Sequence, residues 1–99
     1  MVNTENKFAT ALRLARRAKN VSQDDMGALS SRTYVSSLER GLKSPTLHKV
    51  EQLAEMLEMH PLTLLVLAYA GSERDADVNR VLGKVARDLE SIRSVLASD

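Results

Sequence analysis

Apolar residues recur at intervals of three and four positions along most of this 99-residue chain, which is the spacing of one face of an α-helix. Phe8, Leu12 and Ala15 show this spacing in the first segment. The chain has only 4 glycines and 2 prolines, too few for the many turns of a sandwich or barrel. It has no cysteine, so neither disulfides nor a zinc–thiolate site can stabilise it. The sequence therefore predicts an all-α fold whose stability comes from helix packing.

Residues that begin and end helices divide the chain into five short helices and one longer helix. Gly41 and Gly71 suit helix ends, and Pro61 suits a first turn. Ser22 and Asp25 have the spacing of a capping box. Further candidate caps stand just before the apolar repeats, at Thr4, Ser30 or Ser31, and Thr46. We expect helices at about 5–19, 23–29, 31–40, from 47 to the break at His60–Pro61, 61–70 and 75–97.

The net charge of +1 hides a difference between the two halves of the chain. Residues 1–49 carry nine Lys or Arg against four acids, a net charge of +5. Residues 50–99 carry five against nine, a net charge of −4. A basic half within a nearly neutral chain suggests a surface that binds a polyanion, and the alternative is chance clustering on a solvated surface.

The last predicted helix carries the apolar repeat of a coiled coil. Its apolar positions alternate between four and three residues apart, at Val78, Leu82, Val85, Leu89, Ile92 and Leu96. In this heptad repeat Asp88 occupies position g and Arg93 occupies position e, and these two positions face each other across the seam of a parallel dimer. In an antiparallel pair Asp88 instead faces other g positions. We interpret the repeat as a homodimer interface of undetermined direction, and the alternative is that the helix folds back onto its own domain.

The second and third predicted helices show the pattern of a helix-turn-helix. The second begins at Gln23, and the third ends in the run from Leu38 to Gly41. Together with Arg16, 21–23, 26–27, 34–36, 44–46 and 53–54, these residues resemble the phage repressor/Cro or xenobiotic-response-element family of transcription regulators. The resemblance covers about residues 8–66 and implies a five-helix, lambda-repressor-like DNA-binding domain. We therefore expect a helix-turn-helix domain at 1–71 and a longer C-terminal dimerisation helix at 72–99.

The resemblance also implies which residues contact DNA. The family places its third helix in the major groove, with the N-terminal residues on base edges. The matching base readers are Arg32, Thr33, Ser36 and Ser37. The matching phosphate contacts are Gln23, Ser31, Tyr34, Arg40, Lys43 and Ser44. Arg32 has the donors to bind guanine O6 and N7, and the alternative for it is a phosphate contact.

Two further features belong to the same comparison. In the family, an acid at the position of Glu39 pairs with an arginine of the first helix, which is Arg16 here. The resemblance implies that this pair supports the fold and does not contact DNA. Gly27 is a small residue inside the second helix, where the family keeps one for close approach of the third. The step from Gln23 to Tyr34 is eleven residues, shorter than the family's usual spacing, so the turn between the helices differs.

No constellation in the sequence indicates an enzyme. His48 and His60 are twelve residues apart and lack a partner at metal-ligand spacing, and there is no glycine-rich phosphate loop. We expect no cofactor, no metal and no catalytic residue. The N-terminus lacks a signal-peptide pattern, and no apolar run approaches the roughly 20 residues of a membrane span, so we expect a cytoplasmic protein.

The sequence therefore predicts a dimeric, sequence-specific DNA-binding regulator, most often a repressor in this family. The expected partners are double-stranded DNA and a second copy of the chain. The fifth helix is apolar nearly all round, which is typical of a helix that is buried or covered by a partner. Two alternatives therefore remain. One is an antitoxin-type autorepressor that binds a toxin through its fifth and sixth helices, and the other is a protein-binding adaptor.

Overall fold

A computed structural model of the chain describes residues 7–26 and 31–98. Its helices are α1 (Phe8–Ala18), α2 (Gln23–Met26), α3 (Arg32–Glu39), α4 (Leu47–Met56), α5 (Pro61–Ala70) and α6 (Asp75–Ala97). These described ranges contain no β-strand. The prediction of an all-α fold is therefore confirmed. The expected caps Thr4 and Ser30, the end of the second helix and the small residue Gly27 lie outside the described residues.

Local side-chain contacts cap the starts of α2, α4 and α5. The capping box is present, because the Ser22 hydroxyl accepts from the Asp25 N–H at 3.0 Å and the Asp25 carboxylate accepts from the Ser22 N–H at 3.1 Å. Thr46 caps α4 by accepting from the Lys49 N–H at 3.2 Å. His60 caps α5, since its Nδ1 accepts from the Leu62 N–H at 3.0 Å. These contacts satisfy backbone donors that have no partner inside the helix.

The ends of α4 and α5 differ in how they form. Gly71 ends α5 with a φ of +78°, the left-handed conformation that glycine adopts without strain. The break expected at His60–Pro61 correctly marks the start of α5. However, α4 has already ended at Met56, and Glu58 takes a left-handed φ of +55° in the connection.

The hydrophobic core lies between α1 and the four helices that follow it. Its largest fully buried side chains are Leu12, Met26, Val35, Leu38, Leu53, Leu57 and Leu64. The apolar α5 packs against α1, α4 and α6, which explains its composition. The N–H of Lys7 also donates to the carbonyl of Ala68 at 2.8 Å, so the start of α1 is fastened to α5.

Helix α6 differs from the others because none of its residues is buried. Val78 and Val81, near its N-terminus, are half-buried where α6 packs against α5. The two helices border an open, mainly apolar groove of about 400 Å³, lined by His60, Leu62, Thr63, Val66, Leu67, Val78 and Leu82. From Leu82 onward the apolar side chains of α6 have little contact with the rest of the chain.

No helix in residues 7–26 and 31–98 is by itself long and apolar enough to cross a membrane. Helices α4 and α5 meet that test only as a pair bent by 107°. Across 7–26 and 31–98, no group of three or more His, Asp or Glu could hold a metal ion.

Core packing of α4 generates a stability prediction. The Leu53 side chain is 1% exposed, whereas Leu47 on the same helix is 74% exposed. We expect Leu53→Ala to lower the free energy of unfolding by about 2–5 kcal/mol, because it leaves a cavity in the core. Leu47→Ala makes the same chemical change at the surface, where the cost stays below about 0.5 kcal/mol. Urea denaturation followed by circular dichroism measures both, and equal losses would contradict the described core.

Candidate nucleic-acid interface

A single carboxylate joins the first three helices. Glu39, the last residue of α3, is 4% exposed and receives two hydrogen bonds from the Arg16 guanidinium of α1, at 2.7 Å and 3.0 Å. The side-chain amide of Gln23, at the start of α2, donates to the same carboxylate at 3.0 Å. Arg16 also donates to the carbonyl of Val21 at 3.1 Å, in the segment before α2. The ion pair expected between Arg16 and Glu39 is therefore present, and it includes Gln23.

These contacts set the protonation of Glu39. Burial by itself raises the pKa of this carboxyl. The hydrogen bonds from Arg16 and Gln23, together with the positive charges of Arg16 and Arg13, outweigh that effect, so the pKa of Glu39 lies below its ordinary value. The same hydrogen bond raises the pKa of Arg16. Both groups are therefore charged in the folded protein near neutral pH.

The N-terminal half of α3 presents polar side chains to solvent. Ser31 caps the helix, since its hydroxyl accepts from the Tyr34 N–H at 3.1 Å. Arg32 and Thr33 are exposed and Ser36 is half-buried. With Gln23 and Arg40, these three residues line a polar groove of about 300 Å³. Three of the four predicted base readers therefore share one accessible surface.

Ser37 does not belong to that surface, and its assignment as a base reader is wrong. Its side chain is buried, at 7% exposure, between the core positions Val35 and Leu38 in sequence. A serine is small enough to sit on the packed side of a helix, so its polarity alone did not indicate exposure. Gln23 is also placed differently from the expectation, because its amide contacts Glu39 while the residue is half-buried.

An acidic residue that the sequence analysis did not single out lies beside Arg32. The guanidinium Nε of Arg32 is 3.1 Å from a carboxylate oxygen of Asp24 on α2. Both side chains are more than two-thirds exposed, so the pair lies on the surface of the groove and not beneath it. No signal in the sequence predicts this contact, because the two residues are on different helices.

A group of cations surrounds Tyr34. The ammonium groups of Lys43 and Lys49 lie 5.7 Å and 5.5 Å from the centre of its ring, within the range of cation–π attraction. Lys43 and Tyr34 were predicted phosphate contacts, whereas Lys49 was not. Arg40 and Ser44 are exposed on the same segment after α3. This arrangement gives the exposed face of α3 a positively charged border, which we call the cationic rim (Tyr34, Arg40, Lys43, Ser44 and Lys49).

The apolar repeat of α6 forms a second exposed surface. Val78 is half-buried against α5, but the remaining five positions of the predicted seam are each at least 45% exposed: Leu82, Val85, Leu89, Ile92 and Leu96. Val95 beside them is 64% exposed. A continuous row of large apolar side chains on one helix face is unusual for a surface that remains in water.

Comparisons with known proteins agree with this geometry. A family model described as helix-turn-helix matches residues 12–64, the part that contains the buried carboxylate and α3. The fold matches the crystal structure of the restriction-modification controller protein C.AhdI from Aeromonas hydrophila, and the two sequences are 38% identical. The match has a TM-score of 0.55 and covers 59% of this chain and 91% of that chain. A search of curated proteins found no match.

The Glu39 contacts generate a pH-dependent prediction. The folded-state pKa is below the ordinary value of 4.5, so ionised Glu39 stabilises the fold fully above that value and less as pH falls through the folded pKa. Glu39→Gln leaves the Arg16 guanidinium without its counter-charge, and we expect a loss of about 3 kcal/mol near neutral pH. Urea denaturation across pH 2–7 should show that the variant loses less of its remaining stability in acid than the parent does.

The matched control for this prediction is Glu55→Gln, which removes an exposed carboxylate from α4. We expect that change to leave stability within about 0.5 kcal/mol of the parent, since surface charges contribute little. If both variants kept the acid dependence of the parent, the proposed role of Glu39 in acid stability would be wrong.

Proposed function

The chain belongs to the helix-turn-helix family of DNA-binding transcriptional regulators, and we propose that it binds a pseudo-palindromic operator as a dimer and represses transcription there. In this proposal α3 enters the major groove and the cationic rim contacts the phosphates on its border. A repressor whose operator overlaps a promoter acts by occupying it, so the affinity for the operator is the property that matters.

The observation that carries this proposal is the arrangement of α3. Its C-terminal end is fixed by the buried Glu39 carboxylate, while Arg32 and Thr33 at its N-terminal end remain exposed. Helix-turn-helix proteins read bases with the N-terminal residues of this helix. We propose Arg32, Thr33 and Ser36 as base contacts. Arg32 would donate to guanine O6 and N7, and Thr33 would form a hydrogen bond with a base edge or contact a thymine methyl group.

The proposed phosphate contacts lie around that helix. Ser31 still has a hydroxyl proton to donate after accepting from the Tyr34 N–H, and Gln23 has a second amide proton beside the one bound to Glu39. The remaining contacts are on the cationic rim: Tyr34, Arg40, Lys43, Ser44 and Lys49. Phosphate contacts hold the protein in register on the duplex without reading sequence.

The relative named above supports a more specific candidate. C.AhdI is a restriction-modification controller protein, and the chain shares 38% identity with it over 91% of its length. We propose as a second candidate that this chain controls the genes of a restriction–modification system. Neighbouring reading frames for an endonuclease and a DNA methyltransferase would favour this role, whereas a neighbouring toxin would favour an autorepressing antitoxin.

We assign dimerisation to α6, within the segment 72–99. The proposed interface contains Val78, Leu82, Val85, Leu89, Ile92 and Leu96, with Val78 shared between the partner and α5. Exposed apolar side chains spaced four and three residues apart fit the knobs-into-holes packing of two helices. The family match ends at residue 64, so α6 lies outside the matched part of the chain.

Charge on α6 favours a parallel pair. With the apolar seam at the centre, Asp88 lies on one flank and Arg93 on the other, five residues later. Parallel packing sets these two positions against each other across the seam, and the pair occurs twice in a symmetric dimer. An antiparallel pair centred on Asp88 sets that carboxylate against its own copy, which is unfavourable. Asp88 also accepts from Lys84 within its own helix at 2.6 Å.

DNA binding provides the main test of function. The purified protein is titrated with DNA selected from a random pool and with scrambled DNA across a salt series. We expect at least about a thousandfold preference for the selected sequence. Arg32→Ala should lower affinity for that sequence by about 5- to 150-fold and leave affinity for scrambled DNA almost unchanged, since it removes a base contact.

Lys43→Ala is the matched control, because it also removes one positive charge. We expect it to weaken binding to both DNAs by the same factor and to reduce the salt slope by about one. If Arg32→Ala behaved in the same way, Arg32 would be a phosphate contact. Absence of binding at low salt would contradict the DNA-binding function.

Cross-linking provides the test of dimerisation. The chain has no cysteine, so Leu96→Cys introduces a single thiol at the C-terminal end of the seam. In a parallel pair the two copies of position 96 lie within the about 4–7 Å Cα separation that a disulfide bridges, so we expect a covalent dimer on mild oxidation. In an antiparallel pair these positions lie at opposite ends of the seam, roughly 27 Å apart, and no such dimer forms.

Arg87→Cys is the control, since position 87 lies on the helix face away from the seam and should not cross-link in either arrangement. Sedimentation of the parent protein gives its oligomeric state independently. A parent that stays monomeric at micromolar concentration contradicts the α6 interface, and a dimer without the Leu96→Cys product contradicts the parallel arrangement.

A further inference from the structure

We propose that Asp24 is a positioning residue that sets the specificity of base recognition by Arg32, an inference that rests on the proposed function. The Asp24 carboxylate lies 3.1 Å from Nε of the Arg32 guanidinium. An arginine can bind guanine O6 and N7 through its two terminal nitrogens, which this contact does not use. The contact is made on the side of the guanidinium, so the end of the fork remains available to DNA.

The acids of the basic half have distinct contacts. Three of the four acids in residues 1–49 lie in the described ranges, and they are Asp24, Asp25 and Glu39. Asp25 closes the capping box with Ser22, and Glu39 joins the first three helices. Asp24 instead contacts a proposed base reader. A carboxylate on a surface that binds phosphates weakens binding by repulsion, so its presence there calls for a compensating effect.

Binding to DNA strengthens the effect of this pair. In the free protein both side chains are largely exposed, and water screens an exposed ion pair until it contributes little. When DNA covers the groove, water is displaced and the attraction between the two charges increases. The pair therefore acts mainly in the specific complex.

The Asp24 charge has different net effects on non-specific DNA and on the operator. On non-specific DNA the Asp24 charge only repels phosphates. On the operator the same repulsion is offset by the better placement of Arg32 on guanine. Asp24 therefore raises the ratio of operator affinity to non-specific affinity, although it lowers the non-specific affinity itself.

The test is Asp24→Asn, which removes the charge and keeps the size of the side chain. Affinities are measured at one salt concentration for the selected operator, for scrambled DNA and for operators with each guanine replaced. We expect scrambled-DNA affinity to rise severalfold and the operator-to-scrambled ratio to fall about tenfold, the size of one weakened base contact. For the variant, the ratio of affinity for the operator to affinity for the operator that lacks the guanine read by Arg32 should approach one.

Two control variants separate this role from other effects. Asp25→Asn removes the same charge one residue away while keeping an acceptor for the Ser22 N–H, and we expect its operator-to-scrambled ratio to match the parent. Asp24→Asn is also made in an Arg32→Ala background, where we expect it to leave the ratio unchanged. Thermal unfolding of each variant shows whether the fold is retained.

The remaining outcomes overturn one proposal or both. If Asp24→Asn raises both affinities by the same factor, Asp24 only repels DNA and the inference is wrong. An unchanged ratio in the single variant, or an equal fall in the Arg32→Ala background, also overturns it. If the parent protein does not distinguish operator from scrambled DNA, the proposed function fails and the inference fails with it.

Discussion

The buried carboxylate of Glu39 is the contact on which the arrangement of the first three helices depends. Hydrophobic packing brings α1, α2 and α3 together, but apolar contacts have little directionality and permit a helix to slide or rotate. The guanidinium of Arg16 and the amide of Gln23 are directional donors, and both bind the same two oxygens. Because an unpaired charge in this position is costly, the three side chains specify one orientation of α3.

The sequence predicted much of the fold because its signals are local. Capping residues such as Thr46, the break before Pro61 and the helix end at Gly71 act within a few residues of themselves, and each has its expected position. The family resemblance correctly identified Arg16 and Glu39 as a pair, although they are 23 residues apart. Periodicity alone did not predict that α4 ends before the proline, because Leu57 continues its apolar spacing.

The parts of the candidate site that escaped prediction depend on contacts between elements. Ser37 was misassigned because a small polar side chain fits either side of a packed helix. Lys49 lies near Tyr34 only because α4 packs next to the loop after α3, and Asp24 reaches Arg32 only because α2 and α3 are adjacent. Residue type and spacing carry no information about such neighbours, whereas a structure gives them directly.

The two ends of α3 differ in role, because the buried Glu39 carboxylate lies at the C-terminal end and exposed side chains lie at the N-terminal end. Glu39, Val35 and Leu38 are buried and hold it in the domain, while Arg32 and Thr33 are exposed to solvent. Mutations at these two positions should therefore be almost neutral for folding, and natural selection can vary them without compensating changes elsewhere. Under the proposed function, in which these two side chains contact bases, one or two substitutions would give a lineage a new target sequence. The scaffold would be inherited unchanged, so closely related descendants need not share a binding sequence.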